Sequence, residues 1–152
     1  MNTELTYDTF RIERTLRANK EKAYRAWSDQ DKKAKWFVGP SGWVQLRREQ
    51  DFSVGGAEVV VGRHGDGGTS GFFATYQDIV PQERIVYSYR MFVDEVLLSV
   101  TLVTVEFHDA GAGTLMTFTE QGVYFADAKA AASRQHGSNY LMDNIVRFVD
   151  ED

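Results

Sequence analysis

Cysteine is absent from the 152 residues, so neither a disulfide framework nor a thiolate zinc site is possible, and a secreted disulfide scaffold is excluded. Histidine is scarce. His64, His108 and His136 lie far apart, and no pair has the His-x-x-x-His spacing that puts two imidazoles on one helix face. No metal site is expected. No run approaches the roughly eighteen apolar residues of a membrane-spanning helix, and Met1-Asn2-Thr3-Glu4-Leu5 has no basic segment leading into an apolar one. The expectation is a cytoplasmic protein with no membrane insertion. A Ser/His/Asp arrangement and cofactor fingerprints are also missing. The Gly-rich stretch from Gly62 to Gly71 lacks a Gly-Lys-Ser/Thr ending and runs into a strand, so it reads as a hairpin loop and not as a phosphate cradle. No cofactor is implied.

Charge is unevenly spread. Met1 to Gln50 holds 11 Lys/Arg against 7 Asp/Glu, while Asp51 to Asp152 carries the acidic excess that brings the chain to −5. Lys20, Lys22, Arg25, Lys32, Lys33 and Lys35 fall on short predicted helices and read as a solvated face. Nucleic-acid binding would call for a continuous basic stripe on a basic domain, which is not present. Aromatic residues make up 13% of the chain, and the length suits one domain over residues 1–152 with a sizeable core.

The C-terminal stretch organises the pattern. From Asp127 to Val149, Leu141, Met142, Ile145, Phe148 and Val149 recur at spacings of three and four, a helical stripe that must be buried. Upstream, Ala128, Ala130, Ala131 and Ala132 offer only small side chains, with Ser133, Gln135, Ser138 and Asn139 among them. A helix bulky at one end and thin at the other leaves room beneath the thin end for a ligand cavity, unless that end is merely loosely packed. Gly137 costs about 1 kcal/mol relative to Ala in a helix interior, which suggests a close approach by a strand or ligand, or a kink.

Before that helix, Phe10, Ile12 and Leu16 alternate with polar residues as in a half-buried strand. Arg14 falls on the apolar side, either snorkelling to the rim or meeting an internal carboxylate. Asn19 can cap a helix carrying Ala23, Tyr24, Ala26 and Trp27, and a second short helix spans Asp31 to Phe37. Six strands follow. Along Val96 to His108 the apolar phase changes partway: either a bulge shifts it, or the strand is regular, Ser99 and Thr101 point inward, and Leu98, Val100 and Leu102 form an outer patch for a homodimer. The expected architecture is α+β, a curved antiparallel sheet of about seven strands around a long C-terminal helix, with two short helices after the first strand.

Several segments in this order resemble the START-like (SRPBCC) superfamily, and within it the family named for homology to the activator of the heat-shock-protein-90 ATPase. They are Ala23-Tyr24-Arg25-Ala26-Trp27, Trp36-Phe37-Val38-Gly39-Pro40, Asp51-Phe52-Ser53-Val54-Gly55-Gly56-Ala57-Glu58, Tyr76 through Tyr87, Thr104-Val105-Glu106-Phe107, Gly113-Thr114 and Thr119-Glu120-Gln121-Gly122. The resemblance implies the helix-grip fold shared with birch-pollen allergens, and an apolar cavity between sheet and helix. The co-chaperone activity behind the family's name belongs to members with an additional N-terminal domain. Many relatives carry Gly-Trp where this chain has Gly137-Ser138, which implies extra space beside the helix.

The leading functional reading is binding of an apolar or amphipathic small molecule or lipid. Trp36, Phe37, Trp43, Phe73, Tyr87, Tyr89, Met116, Phe118 and Tyr140 supply walls, with Glu58, Glu120 and His136 as orienting polar groups, the usual composition of such pockets. Glu120 shares strand parity with Met116 and Phe118. Its neighbours Ala57, Val59 and Val61 make the other face of the strand the more apolar one and so point Glu58 outward, although an inward carboxylate would serve as acid, base or acceptor. His136 reaches the cavity mouth or is simply exposed. The alternatives are a polyketide-cyclase-like enzyme using Glu120 or His136, and a chaperone-assisting interaction module.

Overall fold

The computed structural model describes residues 2–151. Strand β1 (Thr6–Leu16) leads into helices α1 (Lys20–Ser28) and α2 (Gln30–Trp36). Strands β2 (Val44–Gln50), β3 (Ala57–Arg63), β4 (Thr69–Val80), β5 (Arg84–Val93), β6 (Val96–Ala110) and β7 (Gly113–Tyr124) follow, and helix α3 (Ala128–Glu151) closes the chain. All seven strands form one antiparallel sheet in the order β1-β7-β6-β5-β4-β3-β2. Only the β1–β7 pairing is remote in sequence. It brings the first strand beside the last, which is how a sheet of consecutive hairpins comes to flank the terminal helix.

Local chemistry explains the helices. The Asn19 side chain accepts from the Lys22 N–H at 3.0 Å and so caps α1. Asp29 serves both short helices: its backbone N–H closes α1 on the Arg25 carbonyl, while its side chain accepts from the Lys32 N–H at 3.0 Å to open α2. The pair is bound into the core by Trp27 and Trp36, which meet edge to face with centroids 4.7 Å apart. Trp36 donates its indole N–H to the Ala26 carbonyl at 2.8 Å. Removing such a buried ring costs about 3–5 kcal/mol.

On α3, Met142, Ile145 and Val149 are buried, and Leu141 and Phe148 pack against the core at its edge. The stripe continues upstream through Ser138 and Ala131. Arg14 meets α3 at the rim, bonding Asp143 and Asn139, so its charge ends in a half-exposed ion pair. Lys33 departs from expectation. It is 1% exposed rather than solvated, because α2 is only two turns long and the residue one turn before Trp36 necessarily faces the core.

Where its apolar phase changes, strand β6 follows the second anticipated explanation. From Ser99 onward it is regular, with Ser99, Thr101, Val103, Val105 and Phe107 buried. A bulge precedes this stretch, since Met91 pairs with Ser99 and Phe92 with Leu97, leaving Leu98 as the extra residue. Leu98 therefore lies on the helix side of the sheet and does not join Val100 and Leu102, which remain on the outer face with 39% exposure each.

Candidate functional site

Between the concave side of the sheet and the first half of α3 lies an open cleft of about 520 Å³. One wall comes from the segment after α2 and the start of β2, with Phe37, Val38, Pro40 and Trp43. The sheet contributes Val60, Phe72, Tyr87, Tyr89, Met91, Leu98 and Phe118, and α3 contributes Ala130, Ser133, Arg134, Gly137, Ser138, Tyr140, Leu141 and Met142. A methyl built on Gly137 would meet nothing within 4 Å, so this glycine is not there for a close strand contact: it borders open space. Trp43 is held differently. A Cβ at either Gly39 or Gly62 would overlap its ring, so two bare backbone positions form the slot that fixes the indole at the mouth.

Glu120 and Arg134 form the polar end of the cleft. The Glu120 carboxylate accepts from the Tyr89 hydroxyl at 2.7 Å, from Arg134 at 3.1 Å and from the Ser138 hydroxyl at 3.2 Å. Arg134 also donates to the Tyr89 oxygen at 2.8 Å and to Ser99 at 2.6 Å, and its guanidinium lies over the rings of Tyr89 and Tyr124. Burial, reinforced by the Glu120 charge, pushes the Tyr89 phenol well above its ordinary pKa. It stays neutral and acts as a donor. Burial alone would lower Arg134, but Tyr89, Glu120 and Tyr124 outweigh it and raise the guanidinium.

A second buried ion pair sits behind the Phe37–Phe72–Tyr87 wall. Lys33 donates to Glu58 at 2.7 Å, and the Tyr76 hydroxyl donates to the same carboxylate oxygen at 2.6 Å. Gln50 completes the cluster by donating to the Tyr76 oxygen and to the Trp27 carbonyl. The Lys33 ammonium is 4.6 Å from the Phe37 ring centroid and 5.6 Å from that of Tyr87. Its pKa is lowered, chiefly by burial, with Glu58 opposing the shift.

Seven of the expected site residues line the cleft: Phe37, Trp43, Tyr87, Tyr89, Phe118, Glu120 and Tyr140. Five do not. Phe73 lies on the opposite side of β4, where it packs edge-on against Phe92; its neighbour Phe72 takes the inward place. Trp36 and Met116 are sealed in the core, at 0% and 1% exposure. Glu58 is inward, against its strand parity, but its partners enclose it. His136 is exposed on α3 and not at the mouth, because its position falls between the buried positions Ala131 and Ser138 on the solvent side of the helix. His64, by contrast, lines the cleft with its Nε2 3.0 Å from the Ser70 hydroxyl. Among the described residues no three of His, Cys, Asp or Glu group as a metal site, and no helix is long and apolar enough to cross a membrane.

Arg134 and Phe72 are among the lining residues that sequence reasoning missed, with Val60, His64, Met91 and Leu98. The signal for Arg134 was present in its spacing, since 131, 134, 138, 142, 145 and 149 advance by three and four along one face.

The family model described as Activator of Hsp90 ATPase homolog 1-like protein matches residues 17–150. The chain belongs to this family. A solved structure from Rhizobium leguminosarum is 35% identical, covers 98% of each chain and superposes with a TM-score of 0.92. The Mll3558 protein from Rhizobium loti is also 35% identical over 95% of this chain and 99% of that one, with a TM-score of 0.87. CalU16 from Micromonospora echinospora, at 15% identity over 96% and 83% of the two chains and a TM-score of 0.68, shares the fold alone. No curated protein sequence matches the chain. Like other members of the Activator of Hsp90 ATPase homolog 1-like family, it grips its long helix in a seven-stranded antiparallel sheet, the helix-grip fold.

Proposed function

We propose that this protein binds an apolar or amphipathic small molecule or lipid in the cleft between the sheet and α3. The observation that carries the reading is Gly137. It is a residue unfavourable to its helix, borders space that no side chain fills, and lies opposite aromatic walls with a charge-compensated polar cluster at one end. A volume of about 520 Å³ is in the range of roughly 300–1,000 Å³ found for small-molecule pockets. Phe37, Phe72, Trp43, Tyr87, Phe118 and Tyr140 supply the contact surface, and Tyr89, Arg134 and Glu120 set the polar end.

The polar cluster favours binding over acid–base catalysis. A general acid or base needs a free face toward substrate, whereas Glu120 already accepts from three donors and Tyr89 is held neutral. The reading also includes a homodimer through the outer face at Val100 and Leu102, separate from the cleft.

A thermal-shift screen of lipids and aromatic compounds tests the function, paired with Gly137→Phe, which fills the cleft from the helix side. Ligands that raise the melting temperature of the wild type are expected to lose that effect in the folded variant. A shift undiminished by Gly137→Phe would place the ligand elsewhere and overturn the reading.

A further inference from the structure

Most polar groups that reach the cleft are satisfied by the protein itself. Glu120, Arg134, Tyr89 and Ser138 bond one another, His64 meets Ser70, and the Tyr140 hydroxyl approaches the Gly39 carbonyl at 3.4 Å. Tyr87 stands apart. It occupies the middle of β5, paired with Tyr76 on β4 and Val103 on β6, and lines the cleft with only 2% exposure. Its ring contacts Phe72, Tyr76 and Tyr89, yet among the described residues its hydroxyl has no hydrogen-bond partner. Among the described residues, the unpartnered side-chain atoms sealed from all access are Trp27 Nε1, Thr101 Oγ1 and the Tyr124 hydroxyl. The Tyr87 oxygen is not one of them, so its residual exposure opens onto the space this residue lines.

The surroundings define what that hydroxyl can meet. Burial first, then Tyr89 and the carboxylates of Glu120 and Glu58, push its pKa well above the ordinary phenol, so it offers a proton and not a charge. The Lys33 ammonium, 5.6 Å from the Tyr87 ring, is committed to Glu58, and Arg134 at the polar end of the cleft is committed to Glu120. An anionic group beside Tyr87 would lose its water and find no uncompensated positive charge.

We infer that Tyr87 reads the ligand, donating a hydrogen bond to an uncharged acceptor oxygen, such as that of a ketone, quinone or ester, carried on an otherwise apolar ring system. This rests on the cleft being a binding site, and it narrows the ligand from lipids in general, fatty-acid anions included, to neutral carbonyl compounds. Phe72 and Phe37, whose ring centroids are 5.0 Å apart, form one aromatic wall beside the phenol.

The test uses three probes on one skeleton, naphthalene bearing an acetyl, an ethyl or a carboxylate group, titrated by calorimetry into wild type and Tyr87→Phe. The substitution removes a hydroxyl without a protein partner, so the variant is expected to fold with unchanged or slightly higher stability. In wild type the acetyl compound should bind about fivefold more tightly than the ethyl compound, the value of one net hydrogen bond, with the carboxylate weakest. Tyr87→Phe should erase the acetyl preference, bringing the acetyl and ethyl affinities together. Binding of the ethyl compound with an acetyl-to-ethyl ratio indifferent to Tyr87, or a carboxylate that binds tightest, overturns the inference while leaving the cleft as a site. Failure of all three probes overturns both.

Discussion

Replacing Lys33 by Ala is expected to remove a large share of the protein's stability, although a lysine on a short helix ordinarily has little to lose. The Lys33 and Glu58 side chains are 1% and 2% exposed and 2.7 Å apart. Truncating one partner leaves the other as a buried, uncompensated charge, which costs roughly 3–5 kcal/mol, against a total of about 5–15 kcal/mol for a typical domain. Glu58 would keep the Tyr76 hydroxyl at 2.6 Å, so the lower part of that range applies. Glu58→Gln should be milder and pH-dependent: the Lys33 pKa is already lowered by burial, and the stranded ammonium can escape its penalty by losing its proton as pH rises. The double variant Lys33→Met/Glu58→Leu removes both charges and restores apolar bulk, and should return to within about 1 kcal/mol of wild type or exceed it. Urea unfolding followed by tryptophan fluorescence reads all three, since the Lys33 ammonium lies 5.3 Å from the Trp27 ring. A loss below about 1 kcal/mol for Lys33→Ala, the value of an exposed pair, would refute the buried-pair account.

Gly137→Ala should stabilise the protein by about 1 kcal/mol, or roughly 2–4 °C in melting temperature, because the added methyl meets nothing; an unchanged or lower midpoint would show the space to be filled. Alkaline titration has a defined sign. Burial raises Tyr76, Tyr87 and Tyr89 above the ordinary 10.0, so above that pH the unfolded chain has released protons the folded one retains, and stability falls; Lys33, lowered from 10.5, acts oppositely but is one group against three. The urea midpoint should therefore drop above about pH 10, and phenolate absorbance showing these tyrosines ionising freely in the folded protein would contradict it. Light scattering should give a dimer mass that Leu102→Glu converts to a monomer, with cleft ligands still bound; a monomeric wild type at tens of micromolar rejects the dimer.

Legibility in the sequence followed the physics of each element. Alternation over β1, β5 and β7, and the three-four spacing of α3, reported faces correctly because one side of each is wet. β3 gives no such vector: Val59 and Val60 are both buried, so the alternation that points Glu58 outward does not describe its faces. Lys33 reads as part of a solvated face because residue type outweighs position there, and Arg134 falls on the inward stripe of α3 with no local sign of a partner for its charge. In each case a second charge from a distant strand compensates it, Glu58 on β3 for Lys33 and Glu120 on β7 for Arg134. Pairing across elements is not visible in a local pattern. Phe72 and Phe73 were indistinguishable by type, and only the register against Met91 and Arg90 on β5 separates them.

The two ion pairs bear on why the cleft stays open. An apolar gap of this size invites collapse, since filling it would stabilise the fold by covering the half-buried rings of Phe37, Trp43 and Tyr140. Yet Phe37, Phe72 and Tyr87 are backed by the Lys33–Glu58–Tyr76–Gln50 cluster, and α3 is held off the sheet by Arg134, whose guanidinium is pinned to Glu120, Tyr89 and Ser99. A wall built on satisfied hydrogen bonds cannot slide inward without breaking them, and each buried bond broken costs about 1–3 kcal/mol. Gly137 contributes no bulk, and Trp43 is confined to its glycine slot. Small, unfavourable or rigid choices at these positions all oppose collapse, and a fold selected for stability alone would have reversed them. Space kept against the tendency to close is what the proposed binding function requires.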